Sequence, residues 1–243
     1  MILTWSSPMD FTQLLRKITS GSAEQSRPPS VGITPTLKSI VVTHKGERVT
    51  IKRDQNTEAV IPSLFSRVSR PCPPFCVQPM KIAEGVETIG ELELIDYLQK
   101  IKEGSTIIVD SRLKNWERKG TIPGSTHIPW TRLATEEGAT IDAIVNVLIK
   151  QFSVNYKQGK SVEDIEEALK KGNLHDILDF SNAKMVVLFC NGTWCGQTSK
   201  SINSLLELGF PQSKLKYYRD GVQGWVSLGL TTVSDEEVCT LVK

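Results

Sequence analysis

The sequence predicts an α/β domain with a central parallel sheet flanked by helices, preceded by a small N-terminal extension. Three observations carry this. Helix and strand patterns alternate from Thr88 onward. A short apolar run, Met185 to Phe189, is followed by a loop and then by Ile202, Leu205, Leu206 and Leu208 at helical spacing. Leu215 to Trp225 reads as a strand, a glycine turn and a short helix.

Taken in order, Phe11, Leu14, Leu15 and Ile18 are spaced for a short amphipathic helix ended by Gly21. Gly21 to Pro35 is rich in Ser, Pro and Gly and reads as linker. Leu37 to Thr43 and Glu47 to Arg53 flank Lys45-Gly46 and predict a hairpin, and Ile61 to Phe65 reads as a further strand or turn. Arg70 to Pro79 holds Pro71, Pro73, Pro74 and Pro79, which impose an extended, turn-rich path without helix. Its Cys72 and Cys76 read either as a redox pair, or as a thiol relay reaching the main site, or as small apolar plugs in a rigid linker. The extension is placed at residues 1–85 and packs on a main domain at 86–243.

In the main domain, Thr88 to Glu91 reads as a capping box before Leu92, Ile95 and Leu98, with Gly104 as the stop. Ile107 to Asp110 is a strand ending in charge. Residues 131–182 form a helical insertion: Ile141, Ile144, Val145 and Leu148 mark one helix, and Ser161-x-x-Asp164 with Ile165 and Leu169 marks another ending at Gly172. The insertion reads as helical packing against the sheet, with a lid or partner face as the alternative.

Composition limits the function classes. Of 243 residues, 39% are hydrophobic and 23% charged, as in a globular chain with a real core. A net charge of +2 implies no bulk attraction to nucleic acid or acidic membranes. No apolar run approaches the ~20 residues of a membrane span. The first ten residues lack a basic region, and Pro8 and Asp10 interrupt them. A cytoplasmic location is therefore expected, or a periplasmic one if a leader has been removed. Five cysteines without a C-x-x-C pair, with only three histidines, give neither a disulfide scaffold nor a zinc site. No metal or cofactor is expected.

The chemistry concentrates at Cys190. A loop between a buried strand and a helix start directs backbone N–H groups at one centre and favours an anion there. A cysteine facing that centre has a depressed pKa and is partly thiolate; the other reading is an inert, well-packed strand-end residue. Asn191, Gly192, Thr193, Trp194, Gly196 and Gln197 would line the centre, and Cys195 lies within the same loop. Asp110 and Arg112 end a parallel strand, where ligands collect. They read either as the rim of the Cys190 site or as an ion pair fixing the loop before Trp116. His127 reads as packing near that loop.

Three stretches, in order from Val86 to Val233, resemble the rhodanese (sulfurtransferase) family. They are the strand Ile107–Asp110 with Arg112 followed by Gly120-Thr121-Ile122-Pro123-Gly124-Ser125-Thr126-His127-Ile128-Pro129, the strand–Cys190–loop–helix, and Asp220-Gly221-x-x-x-Trp225. The resemblance implies a sulfurtransferase that moves sulfane sulfur through a Cys190 persulfide. Its partners would be a small sulfur donor and a thiol or cyanide acceptor, or a protein persulfide, with no nucleic acid and no membrane. Cys195 occupies the position where the family usually has an arginine, and the loop reads as about two residues longer than usual. Cys195 is then expected either to resolve the persulfide or to serve as a structural loop residue. Three alternatives stand beside this reading. One is a non-catalytic rhodanese-like binding module. A second is a cysteine-dependent phosphatase, for which the loop lacks the dense positive charge. The third is a thiol–disulfide redox protein using Cys190 and Cys195.

Overall fold

The structure, a computed structural model, describes residues 30–170 and 174–235. The helix expected at Phe11 to Ile18, the stop at Gly172, and Cys239 lie outside the described residues. The compact unit that carries the sheet opens at Gly32.

Strand β1 (Ser39–His44) pairs antiparallel with β2 (Glu47–Lys52), as the hairpin spacing predicts. Lys45 and Gly46 both have positive φ, 49° and 89°, the backbone demanded by a two-residue turn that matches strand twist. Ile61 to Phe65, expected as strand or turn, is instead the start of a one-turn helix α1 (Ser63–Ser66). The Pro62 carbonyl accepts from Phe65 N at 2.8 Å, and Phe65 is buried.

The main sheet has the order β3 (Glu87–Ile89), β9 (Leu215–Tyr218), β8 (Met185–Phe189), β4 (Thr106–Asp110), β5 (Thr126–His127), every neighbouring pair parallel. Thr88 does not cap helix α2 (Glu91–Lys100). It is held in β3 opposite Tyr217, and its hydroxyl donates to the Met80 carbonyl. The cap moves to Gly90, whose N–H donates to Glu93 Oε2 at 3.0 Å.

Alternation along the strands sorts side chains onto two buried faces, as a parallel sheet requires. Ile107, Val109, Val186, Leu188, Leu215 and Tyr217 point to one core. Helices α4 (Ile141–Lys150) and α6 (Gln197–Glu207) close it with Ile144, Leu148, Ile202 and Leu205. Ile89, Ile108, Val187, Phe189 and Tyr218 point to the other. That face is closed by α2, by α7 (Gly221–Ser227) with Val222 and Trp225, and by Ile40, Val42 and Ile51 of the hairpin. Burial of each such large apolar side chain is worth about 1.5–3 kcal/mol.

The segment 131–182, read above as a helical insertion, contributes side chains to the first core. Ile165 of α5 (Ile165–Lys170), Leu178 of β7 (Leu178–Asp179) and Phe152 join Val186 and Leu188 there. β7 pairs antiparallel with β6 (Asn155–Tyr156), and Ser161 N donates to Asp164 Oδ2 at 2.9 Å at the predicted helix start. Among the described residues no helix is long and apolar enough to cross a membrane.

Candidate active site

β8 is the middle strand of five, and Cys190 directly follows its last residue. The loop 190–196 then leads into α6 at Gln197. α6 is eleven residues long and so presents a full set of free N–H groups and a positive dipole end to the loop.

The loop is braced from one side by the Asp-Gly-x-x-x-Trp segment. Val222 N donates to the Cys190 carbonyl at 3.0 Å and Gln223 N to the Asn191 carbonyl at 2.8 Å. Gly221 makes the approach feasible: its φ is +58°, and a Cβ there would lie 2.4 Å from the Cys190 oxygen. Trp194 Nε1 donates to Gln223 Oε1 at 2.8 Å, and Gln223 Nε2 donates to the Phe65 carbonyl at 2.8 Å.

From behind, Arg112 holds the loop through Asn191, its Nη1 donating to Asn191 Oδ1 at 3.2 Å. The same guanidinium forks onto Asp110, with Nε to Oδ1 at 2.9 Å and Nη2 to Oδ2 at 2.6 Å, and also donates to the Gly120 carbonyl at 2.7 Å. Thr121 Oγ1 completes the carboxylate at 2.7 Å. His127 Nε2 lies 2.8 Å from the Arg112 carbonyl. Arg112 and Asp110 are both 0% exposed, so the ion-pair alternative describes them. As a rim residue that touches substrate, Arg112 is corrected: it lies beneath the loop with its donors spent on protein acceptors. An isolated buried charge would be very costly, which is why the fork and its neighbours come as a set.

Among the described residues, two disulfides are formed. Cys190 is bonded to Cys195, with Cα atoms 6.0 Å apart, and Cys72 to Cys76, with Cα atoms 4.7 Å apart. Cys190 and Cys195 are 2% and 4% exposed and cluster with Trp194. Gln197 Oε1 lies 3.7 Å from Cys190 Sγ and 3.9 Å from Cys195 Sγ, and Asn191 Nδ2 lies 3.9 Å from Cys195 Sγ. Cys195 N donates to the Gly192 carbonyl at 2.9 Å, which folds the loop back on itself. A groove of about 320 Å³ borders the loop at Thr193 and is lined by Glu91, Asp220 and Gln223.

The proline-rich segment 70–79 covers this loop. Gln78 N donates to the Thr193 carbonyl at 2.8 Å, Ser199 Oγ donates to Gln78 Oε1 at 2.8 Å, and Gln78 Nε2 donates to the Cys76 carbonyl at 2.8 Å. Arg219 Nη2 donates to the Gln78 carbonyl at 2.9 Å. The Phe75 ring meets Trp194 edge-on at 5.5 Å, and the Arg70 guanidinium lies 3.8 Å from the Trp194 ring centre. Trp194 is thus a packed residue under this strap. Lys200, the nearest cation in sequence, is drawn away to Glu137 at 3.1 Å and the Trp130 face at 4.3 Å. Among the described residues no three His, Cys, Asp or Glu side chains gather as a metal site.

Comparison with known proteins gives a family and no finer assignment. Curated protein sequences return no match. Among solved structures, a Bacillus halodurans protein matches at 17% identity, covering 61% of this chain and 77% of its own, with a TM-score of 0.37. The rhodanese-like domain of an Anabaena protein matches at 17% identity over 66% of this chain and 87% of its own, TM-score 0.36. A thiosulfate sulfurtransferase from Pseudomonas aeruginosa matches at 17% identity over 62% of this chain and 21% of its own, TM-score 0.35. The model of the rhodanese-like domain matches residues 94–228, more than half of the chain, from α2 through the cysteine loop to α7. The chain therefore belongs to the rhodanese-like domain family.

Proposed function

We propose that the protein is a sulfurtransferase that carries sulfane sulfur on Cys190. The observation that carries this is the position of Cys190, at the carboxyl end of the central strand and one loop before the start of α6. The dipole and N–H groups of that helix start favour a thiolate or a persulfide anion. The reaction starts from the reduced pair. The Cys190 thiolate attacks the outer sulfur of the donor, the donor's S–S bond breaks, and its remainder leaves as an anion. An acceptor thiolate or cyanide then attacks the outer sulfur, and Cys190 departs as thiolate. The loop carries no arginine or lysine between Cys190 and Gln197, so a persulfide donor suits it better than the thiosulfate dianion.

The Cys190–Cys195 bond supports a second branch. The Cys195 thiolate attacks the inner sulfur of the Cys190 persulfide, the sulfur–sulfur bond of the persulfide breaks, hydrosulfide leaves, and a disulfide remains. That product is the bond found in the loop. The same bond also favours a thiol–disulfide redox reading, in which the pair exchanges electrons without sulfur transfer.

Intact-mass spectrometry separates these readings. Reduced wild type incubated with a persulfide donor should keep one added sulfur if Cys195 does not resolve it, or release one sulfide and end as the disulfide if it does; Cys195→Ser should gain and hold one sulfur, and Cys190→Ser should gain none. Sulfur uptake by Cys190→Ser would remove the assignment. No uptake by any form would leave the redox reading.

A further inference from the structure

We propose that Cys72–Cys76 is the outer half of a two-step dithiol relay through which a protein reductant reaches Cys190–Cys195. The inference rests on the two disulfides and the strap, and is independent of whether sulfur is transferred. The inner disulfide is shielded: its cysteines are 2% and 4% exposed beneath the strap. A folded reductant has to present its own thiolate in line with a sulfur atom, and that depth excludes it. The outer disulfide is accessible, with Cys72 exposed and Cys76 half-buried.

The two pairs meet residue by residue. Phe75 and Trp194 are in ring contact, and the next residue after each is Cys76 and Cys195 respectively. The Gln78 N to Thr193 O bond lies two residues beyond Cys76 and two before Cys195. A Cβ at Gly196, the residue after Cys195, would stand 3.5 Å from Gln78 Nε2, so the strap lies directly on the loop there. Pro71, Pro73 and Pro74 set the backbone of a tight turn, in which Phe75 N donates to the Pro71 carbonyl at 2.9 Å and the Cα atoms of Cys72 and Cys76 lie 4.7 Å apart, so the cysteines keep a restricted place. Packing alone needs no second disulfide at this place.

A protein dithiol attacks Cys72 Sγ, expels Cys76 as thiolate, and is itself resolved to a disulfide, leaving Cys72 and Cys76 as thiols. The Cys76 thiolate then attacks Cys195 Sγ. The Cys190–Cys195 bond breaks with Cys190 leaving, because the thiol at the helix start is the better leaving group. Cys72 attacks Cys76 in the mixed disulfide and releases the Cys195 thiolate. Two electrons and two protons have passed inward, and the outer disulfide is restored.

The test uses oxidised full-length protein, acid quenching, alkylation and peptide mapping. Reduced thioredoxin is the probe dithiol and a small phosphine is the control reductant. In the Cys72→Ser/Cys76→Ser protein, reduction of Cys190–Cys195 by thioredoxin should slow at least tenfold, while reduction by the phosphine stays within twofold of wild type. Cys72→Ser alone should accumulate a Cys76–Cys195 cross-linked peptide, because the resolving thiol is missing. Wild-type or faster rates with thioredoxin would overturn the relay. Equal slowing by both reductants, or absence of the cross-linked peptide, would also overturn it.

Discussion

Gly221 shows how one atom fewer can build a site. Its φ of +58° disfavours any side chain, and the Cβ of an alanine would stand 2.4 Å from the Cys190 oxygen and 2.8 Å from Gly192 N. Neither neighbour is a flexible side-chain tip, so the backbone of the cysteine loop itself would have to move. Gly221→Ala is expected to destabilise by about 2–4 kcal/mol, from left-handed strain and overpacking together. Urea unfolding reads this directly, and a midpoint equal to wild type would contradict the brace. The glycine was legible in the sequence as part of a spaced motif, but its partner was not. Arg112 was legible only as two alternatives, since a strand-end arginine can face solvent or turn inward. The choice is decided by Asn191 and Gly120, whose oxygens the fold brings to the guanidinium beside Asp110.

At the scale of elements, the hairpin is more than an ornament on the sheet. His44, at the end of β1, accepts a hydrogen bond at Nδ1 from Gly124 N at 3.2 Å. Burial, with Lys45 beside it, holds the imidazole pKa below its ordinary 6.5, against smaller opposing pulls from Glu117 and Asp235. The unfolded chain therefore takes up a proton near pH 6.5 that the folded chain refuses, and stability falls as pH drops from that value toward the folded pKa. The slope from this residue is at most about 1.4 kcal/mol per pH unit. His44→Gln should flatten the difference in urea midpoint between about pH 7.5 and about pH 5.5; equal differences in the two proteins would rule the histidine out. The sequence located both hairpin strands because alternation and a Lys-Gly turn are local signals. It misplaced the start of α2 because Thr88 is claimed by a strand pairing with Tyr217, which lies far along the chain. It missed α1 because a single helical turn is too short for its apolar spacing to show.

Across the whole molecule, what could be read from sequence divides by range. The parallel sheet and the position of Cys190 follow from motifs confined to short windows, so they were available without coordinates. The cover over the loop was not, because Ser199 and Gln78, which tie it down, are 121 residues apart. The two disulfides join residues only four and five apart. A bridge restricts the unfolded chain in proportion to the logarithm of the ring it closes. Each of these rings is worth about 2 kcal/mol on that account, against about 4.7 for a ring of 100 residues. Losing both removes about 4 kcal/mol, less than the 5–15 kcal/mol by which domains are usually stable. The fully reduced protein should keep its far-ultraviolet circular dichroism and melt no more than about 16 °C lower; collapse of the spectrum on adding phosphine at room temperature would contradict this. Bridges that close such small rings constrain the disordered chain less than half as much as one closing a ring of 100 residues, so the thiols can open and close repeatedly while the polypeptide around them stays folded.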